Sequence, residues 1–432
     1  MRIKELELKN FHGFDSRIIS FDDQFTVLIG DNGSGKTAIL DGLAISLGSF
    51  LSGFKGVKSR YIRRDEIRQE HFMHGNKLDI QRQYPVEVIT YGTFLDNELR
   101  WSREIKDEGG TTTSKNAKSI MQYAIEYQQR IRKGEEVVLP VISYYTTQRL
   151  WVQKNEKSTQ LLHNRLAGYE YCLEPMSDLK KVFKWIEDMR YIELQEGYSI
   201  DILSSVKKAI AACIEDCSYV QYDVKHKKLM VYNEKGIATP FELLSDGYRS
   251  VIGLVADLAS RMAMLNPFFG EEVCKLTPGV VLIDEIDLHL HPKWQRKIVS
   301  DLKTVFPLVQ FIATTHSPFI IQSLSPGELR RLNFIDDDER VDSEEFINKS
   351  IEDITEAVMG IEGVQRSEHL NKMFKVAQRY YTLLNEGARE SDEELKKLRA
   401  ELDSIEELYS SDVAYYAFLK MERKASGVDD EK

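Results

Sequence analysis

The chain has 432 residues, 42% hydrophobic and 29% charged, an ordinary globular composition that excludes a collagenous, low-complexity or wholly disordered protein and allows two or three domains or one large α/β unit. With 58 Lys and Arg against 69 Asp and Glu the net charge is −11, so any nucleic-acid site must be a local gathering of basic side chains on a surface that otherwise repels polyphosphate. Four cysteines (Cys172, Cys213, Cys217, Cys274) are too few for a disulfide framework, and no apolar run reaches signal-peptide or membrane-span length, so a reduced, cytoplasmic protein without a membrane segment is expected.

Residues 2–9 alternate polar and apolar like a strand, Phe25 to Ile29 reads as a second, and Ala38 to Leu51 has helical spacing, giving strand, Gly-rich turn, helix. Pro85 to Ile105 alternates as an antiparallel meander would, residues 107–119 form a flexible excursion, and 120–132 is helical. Val137 to Tyr145 is apolar and β-branched, as a strand buried on both faces would be, and ends at Thr146-Thr147-Gln148-Arg149. Residues 158–216 predict a helical lobe, Tyr219–Val224 and Lys228–Tyr232 a hairpin, and Ser245–Leu265 a helix with Ser245 as N-cap. Pro278–Ile283 and Val309–Thr314 read as buried strands around a helix from Lys293 to Val305. The expectation is an α/β fold with a parallel core, an antiparallel subdomain and a helical lobe, and a C-terminal helical tail. The layout is 1–150, 151–235, 236–340 and a tail at 341–432.

Gly30-Asp31-Asn32-Gly33-Ser34-Gly35-Lys36-Thr37 has P-loop spacing between a strand and a helix that continues through Ala38. The glycines let backbone N–H groups curl around a β-phosphate, the helix N-terminus adds positive potential, Lys36 reaches the β and γ phosphates, and Thr37 offers a hydroxyl to Mg²⁺. Gly279 to Ile283 is an apolar strand ending in Asp284 and Glu285, at the sheet edge where parallel α/β proteins bind ligands. Asp284 can hold Mg²⁺ through water, and Glu285 can polarise an attacking water. A lone histidine such as His316, in Thr314-Thr315-His316-Ser317-Pro318, is usually structural; beside these two motifs a γ-phosphate contact reads better. Leu244-Ser245-Asp246-Gly247-Tyr248-Arg249 is a capped helix start and also a second anion-type site.

In order, these four segments resemble the Walker A, signature, Walker B and switch-histidine motifs of ABC-type ATPases, in the subgroup related to SMC, RecF and OLD proteins. Asn10-Phe11-His12-Gly13-Phe14 resembles that subgroup's Asn-Phe-Arg-Gly-Phe, with His12 in place of the arginine, and Asp287-Leu288-His289-Leu290-His291-Pro292 resembles its Walker B extension. The likeness spans residues 1 to about 335, and the PtuA ATPases of Septu anti-phage systems are similar. The resemblance implies an ATP sandwich in a homodimer or higher homo-oligomer, Lys36 and Thr37 of one subunit facing Ser245, Asp246 and Gly247 of the other. It implies Glu285 as hydrolytic base, His316 as γ-phosphate sensor, and Gln148 as a Q-loop residue sharing Mg²⁺ with Thr37 and Asp284. The signature departs from Leu-Ser-Gly-Gly-Gln at Asp246 and Tyr248.

Only 96 residues separate Gln148 from Ser245, so no long coiled-coil arm fits, and the 93 residues after Glu339 read as helical, unlike a TOPRIM nuclease domain. Asp336-Asp337-Asp338 reads as a solvated loop. Arg60, Arg63, Arg64 and Arg68 read as a helix-surface or dimer contact, and His71 with His74, or Cys213 with Cys217, assemble no zinc set. His289 and His291 read as loop architecture. The expected function is a Mg²⁺-ATPase that closes around ATP and controls an effector, an HNH-type nuclease in anti-phage defence, with DNA or RNA engaged through the complex. The alternative is a RecF- or SMC-like maintenance ATPase that clamps DNA itself.

Overall fold

Strand β1 (Arg2–Phe11) turns Ile3, Leu6, Leu8 and Phe11 inward, and a bulge between Ile3 and Glu5 accounts for the three-residue step from Ile3 to Leu6. In this computed structural model the described residues are 1–147, 164–174, 179–332 and 341–360, except 75, 96 and 342, and beyond these 375–376, 379–380, 382–383 and 393–406. β2 (Phe14–Ser20) returns antiparallel to β1, and β3 (Phe25–Ile29) runs into α1 (Lys36–Leu51). β4 (Gln69–His74) and β5 (Lys77–Arg82) form a separate hairpin, followed by the hairpin of β6 (Val86–Phe94) and β7 (Asn97–Ile105). The resulting antiparallel sheet has the order β2-β1-β6-β7. The 107–119 excursion is pinned where Thr113 N donates to Glu104 O at 2.8 Å.

After α2 (Lys118–Arg132) comes β8 (Val141–Tyr145). The strand foreseen from Val137 starts only at Val141, because Pro140 has no N–H to give a ladder. The lobe foreseen over 158–216 contains, among the described residues, a 3₁₀ turn at Arg165–Tyr169, α3 (Leu179–Glu196) and α4 (Asp201–Ala212), the helices parted at Gly197 with φ 76°. β9 (Cys217–Asp223), β10 (Lys228–Asn233) and β11 (Ala238–Pro240) make a small antiparallel sheet leading to α5 (Asp246–Leu265). α6 (Val273–Leu276) precedes β12 (Gly279–Ile283). The helix foreseen from Lys293 to Val305 is two pieces, α7 (Pro292–Gln295) and α8 (Ile298–Val305). β13 (Val309–Thr314), α9 (Pro318–Gln322) and β14 (Leu329–Arg331) follow.

The core sheet is parallel, in the order β14-β3-β13-β12-β8. Every residue of β3, β8, β12 and β13 is buried, which is why these strands read as unbroken apolar runs. Phe25 and Phe311 stack across neighbouring strands, and Gly279 leaves room for the Val141 carbonyl, which a Cβ would meet at 2.1 Å. Gln310, buried on β13, bonds Ile3 N and Ile3 O at 2.7 Å each, fastening the core sheet to the antiparallel one. The chain forms two compact units, Met1–Ile354 and Thr355–Lys432; in the second, the longest described helix is Glu393–Glu406. No helix among the described residues is long and apolar enough to cross a membrane.

Candidate active site

β3 delivers the chain to a turn that only glycine can make. Gly30, Gly33 and Gly35 have φ of 150°, 85° and 92°, so each backbone N–H is aimed by a conformation that L side chains rarely adopt. At Gly35 a Cβ would also stand 2.2 Å from Cζ of Phe14, whose ring presses on the loop. The first turn of α1 has no side-chain cap and no acidic residue, leaving its N–H groups and dipole open to an anion. Ser34 Oγ is buried there without a hydrogen-bond partner. Lys36 Nζ donates to Gly30 O at 2.7 Å and Asp31 O at 2.9 Å. Burial lowers the Lys36 ammonium's pKa, against the opposing pull of Asp284, Asp31 and Glu285. An orphaned hydroxyl, free helix N–H groups and a lysine held to its own loop together fit a polyphosphate.

The adjoining carboxylates are fixed by threonines. Thr37 Oγ1 donates to Asp284 Oδ2 at 3.1 Å, and Thr314 Oγ1 donates to Asp284 Oδ1 at 2.7 Å while accepting from Glu285 N at 2.7 Å. Glu285 takes φ 49°, a left-handed conformation stabilised by that bond and by Ile286 N donating to Thr314 O at 2.9 Å. Thr315 Oγ1 holds Asp287 Oδ1 at 2.5 Å. Thr37 and Asp284 therefore present hard oxygen donors side by side, the donor chemistry that suits Mg²⁺. The cleft they share encloses about 310 Å³ and is lined by His12, Gly13, Phe14, residues 32–38, Asp284, Glu285 and the exposed His316.

Ser245 sits as foreseen at the N-cap of α5, exposed, and its side chain makes no capping bond. Asp246 pairs with Arg249 one turn on. Gly247 is buried tightly: a Cβ would lie 2.7 Å from His289 O and 2.9 Å from the Trp294 ring, and Tyr248 packs edge-on to Trp294.

A protein-family profile described as "AAA domain, putative AbiEii toxin, Type IV TA system" matches residues 25–322. The chain belongs to that family. The match runs from β3 to α9 and so contains the P-loop, the signature-like segment, the Walker B strand and His316. The chain is also similar to "Retron Ec83 probable ATPase" of Escherichia coli, 25% identical over 93% of this chain and 83% of that protein. "Septu protein PtuA" of Bacillus mycoides is 27% identical over 94% of this chain and 51% of its own length. "Septu protein PtuA" of Bacillus thuringiensis is 25% identical over 83% of this chain and 84% of its own. The resemblance to SMC/RecF-like ABC-type ATPases, and to PtuA within them, holds.

Of the residues singled out in the sequence, Asn32, Gly33, Ser34, Gly35, Lys36, Thr37, Ala38, Asp284, Glu285 and His316 come together in one cleft of this ATPase-family member. Gly30 shapes the loop behind it, and Ser245, Asp246 and Gly247 do not line it. Gln148 and Asp336-Asp337-Asp338 lie outside the described residues. Two contributors escaped the sequence reading. Phe14 braces Gly35, a role its place in the Asn-Phe-His-Gly-Phe segment hints at, and Thr314 orders both acidic residues from the last position of its strand. One member of the arginine cluster is corrected. Arg60 is buried rather than on a surface, bonded to Asp41 Oδ1 at 2.8 Å and to Glu66, because a guanidinium is what two half-buried or buried carboxylates require. His12 Nε2 stands 3.8 Å from the other oxygen of Asp41, linking this network to the cleft wall. His291 caps α7, accepting from Lys293 N, as loop architecture should.

Proposed function

We propose that this chain is a Mg²⁺-dependent ATPase that closes as a dimer, or a higher homo-oligomer, around ATP. Its cycle would control a bound effector, an HNH-type nuclease in anti-phage defence. The observation that supports it most is the convergence of Lys36, Thr37, Asp284, Glu285 and His316 in one cleft. In this reading the P-loop N–H groups and Lys36 Nζ bind the β and γ phosphates, Lys36 exchanging its two carbonyl partners for phosphate oxygens. Thr37 and Asp284 would hold Mg²⁺, which when bound would supply neutralisation of the phosphate charge. Glu285, oriented by Thr314, accepts a proton from the attacking water, and His316 donates to the γ-phosphate. Gln148 would complete the metal and water shell. Ser245 Oγ, with no capping bond of its own, and the backbone of Gly247 would close over the γ-phosphate of the second copy.

The effector assignment draws on the relatives named Septu protein PtuA and retron ATPase. Affinity capture from the native host with mass spectrometry, in ATP and after its depletion, tests it. A stoichiometric nuclease is the expected result. Recovery of the chain alone with duplex DNA, in salt-sensitive binding, would replace it with the clamp reading.

A further inference from the structure

α1 carries the P-loop at its N-terminus, and past its C-terminus a second pocket opens, of about 350 Å³, between residues 55–58, the end of α2 and the 3₁₀ turn at Arg165–Tyr169. The 16 residues of α1 span about 24 Å, so the two sites are separate. On a chain of net charge −11, this pocket is lined by three cations, Lys55, Lys58 and Arg132, against one carboxylate, Glu170. Glu170 is itself matched by Lys181 at 3.5 Å. Lys55 and Arg132 are exposed, and among the described residues the Lys55 ammonium and the Arg132 guanidinium have no hydrogen-bond or ion-pair partner. Lys58 Nζ lies 4.6 Å from the centre of the Tyr171 ring and 4.0 Å from Glu174, and Lys181 Nζ approaches the same ring at 4.3 Å. Two ammonium groups are thus crowded onto one aromatic at the pocket wall.

Exposed cations are ordinarily just solvated, but the backbone around these is held in place. The Gln128 side chain clasps residue 55, its Oε1 accepting from Lys55 N at 3.1 Å and its Nε2 donating to Lys55 O at 3.3 Å, and Gly56 turns the chain at φ 87°. On the opposite wall Arg261 Nη1 donates to Gly168 O and Glu170 O at 2.9 Å each, and Asn164 Oδ1 accepts from Leu166 N at 3.0 Å. Val57, Ile131 and Leu166 give the pocket an apolar lining. Cations and apolar side chains together on a fixed frame are the make-up of a ligand pocket. A carboxylate would answer one of the three cations. A phosphate monoester, with about two negative charges at pH 7 and three acceptor oxygens, answers all of them, and the Arg132 fork can take two of its oxygens at once. The volume is close to the 310 Å³ of the P-loop cleft, and the apolar lining suits a flat ring. We propose that this pocket binds the phosphate of a nucleotide unit, either free or at the 5′ end of a nucleic-acid strand. Neither Lys55 nor Arg132 belongs to the proposed ATP sandwich, so the pocket stands or falls apart from it.

The test uses the full chain carrying Lys36→Ala, to silence the P-loop, and two probes. Thymidine 5′-monophosphate is followed by isothermal titration, and a short oligothymidylate with a 5′-phosphate and a 3′-fluorescein by anisotropy. At least one probe should bind with a Kd below about 1 mM, and Lys55→Glu and Arg132→Glu should each weaken it at least about tenfold. Lys133→Glu, an exposed charge reversal outside the pocket, should stay within about threefold of the parent. Binding of the monophosphate assigns a free nucleotide; binding of the strand alone, lost when its 5′ end is a hydroxyl, assigns a strand end. The pocket is overturned by failure of both probes to bind, by both pocket variants at parent affinity, or by Lys133→Glu weakening binding as much as they do. It is overturned equally if the monophosphate is inert and the strand binds as well without its 5′-phosphate.

Discussion

The hydroxyl of Thr37 donates to Oδ2 of Asp284 across 3.1 Å, joining the first turn of α1 to the end of β12 over 247 positions of sequence. The bond keeps two metal-type oxygens together before any cation arrives, so little reorganisation is needed to bind one. Asp284→Asn keeps the shape, because an amide oxygen can still accept from Thr37, but removes the charge. Hydrolysis should fall at least about a hundredfold, and the Mg²⁺ concentration for half-maximal rate should rise. A Mg²⁺ titration of ATPase rate at saturating ATP, parent against variant and with EDTA as the zero point, checks it.

Glu285→Gln should retain ATP binding, slow turnover at least about a hundredfold and trap the ATP-bound dimer. Phosphate release with size-exclusion light scattering reads both effects. Turnover at the parent rate would remove Glu285 from the chemistry.

At Gly35 two restraints act together, φ of 92° and the Phe14 ring 2.2 Å from an added Cβ. Gly35→Ala should lower ATP affinity at least about tenfold, because the loop must unwind or Phe14 must move. Gly35→Ala with Phe14→Ala should recover only part of the loss, since the backbone restraint remains. Isothermal titration with ATP, alongside circular dichroism to confirm folding, distinguishes the two contributions.

Ser245→Arg should leave monomer ATP affinity unchanged, because Ser245 does not line its own chain's cleft, and should block nucleotide-dependent dimerisation. Sedimentation of the Ser245→Arg, Glu285→Gln double variant in ATP makes the measurement, and an intact dimer would contradict the sandwich.

Arg60→Ala should destabilise the fold by about 3 kcal/mol near neutral pH, leaving Asp41 and Glu66 crowded without their cation. Burial already raises the Glu66 carboxyl above its ordinary range while Arg60 pulls it down, so losing Arg60 lifts it further. A group whose pKa is higher folded than unfolded adds stability as pH falls. The gap between variant and parent should therefore narrow from about pH 8 to about pH 5 in urea melts.

The parts legible in the sequence are those where one residue type answers one local demand. The P-loop glycines, the apolar runs of β3, β12 and β13, and the acidic pair after Ile283 follow from backbone freedom and two-sided burial, and Gly33, Gly35, Asp284 and Glu285 meet in one cleft. The strands not foreseen lack that signature. β14 has three residues, and both faces of β4 and β5 are open to solvent, so no alternation marks them. β2 keeps only Ile19 fully buried. Contacts between distant segments, such as Phe14 on Gly35, Gln310 on Ile3 or Arg60 between Asp41 and Glu66, exist only once the chain has folded, and no local pattern records them.

Gly247 has a mechanical meaning beyond its place in a phosphate-binding motif. A Cβ at Gly247 would meet His289 O at 2.7 Å and the Trp294 ring at 2.9 Å, so the start of α5 packs on the loop after Glu285 with no room for a side chain. That loop carries two residues in left-handed conformation, Glu285 at φ 49° and His289 at φ 64°. A change in that loop on nucleotide binding beside Glu285 would therefore be felt at the first turn of α5.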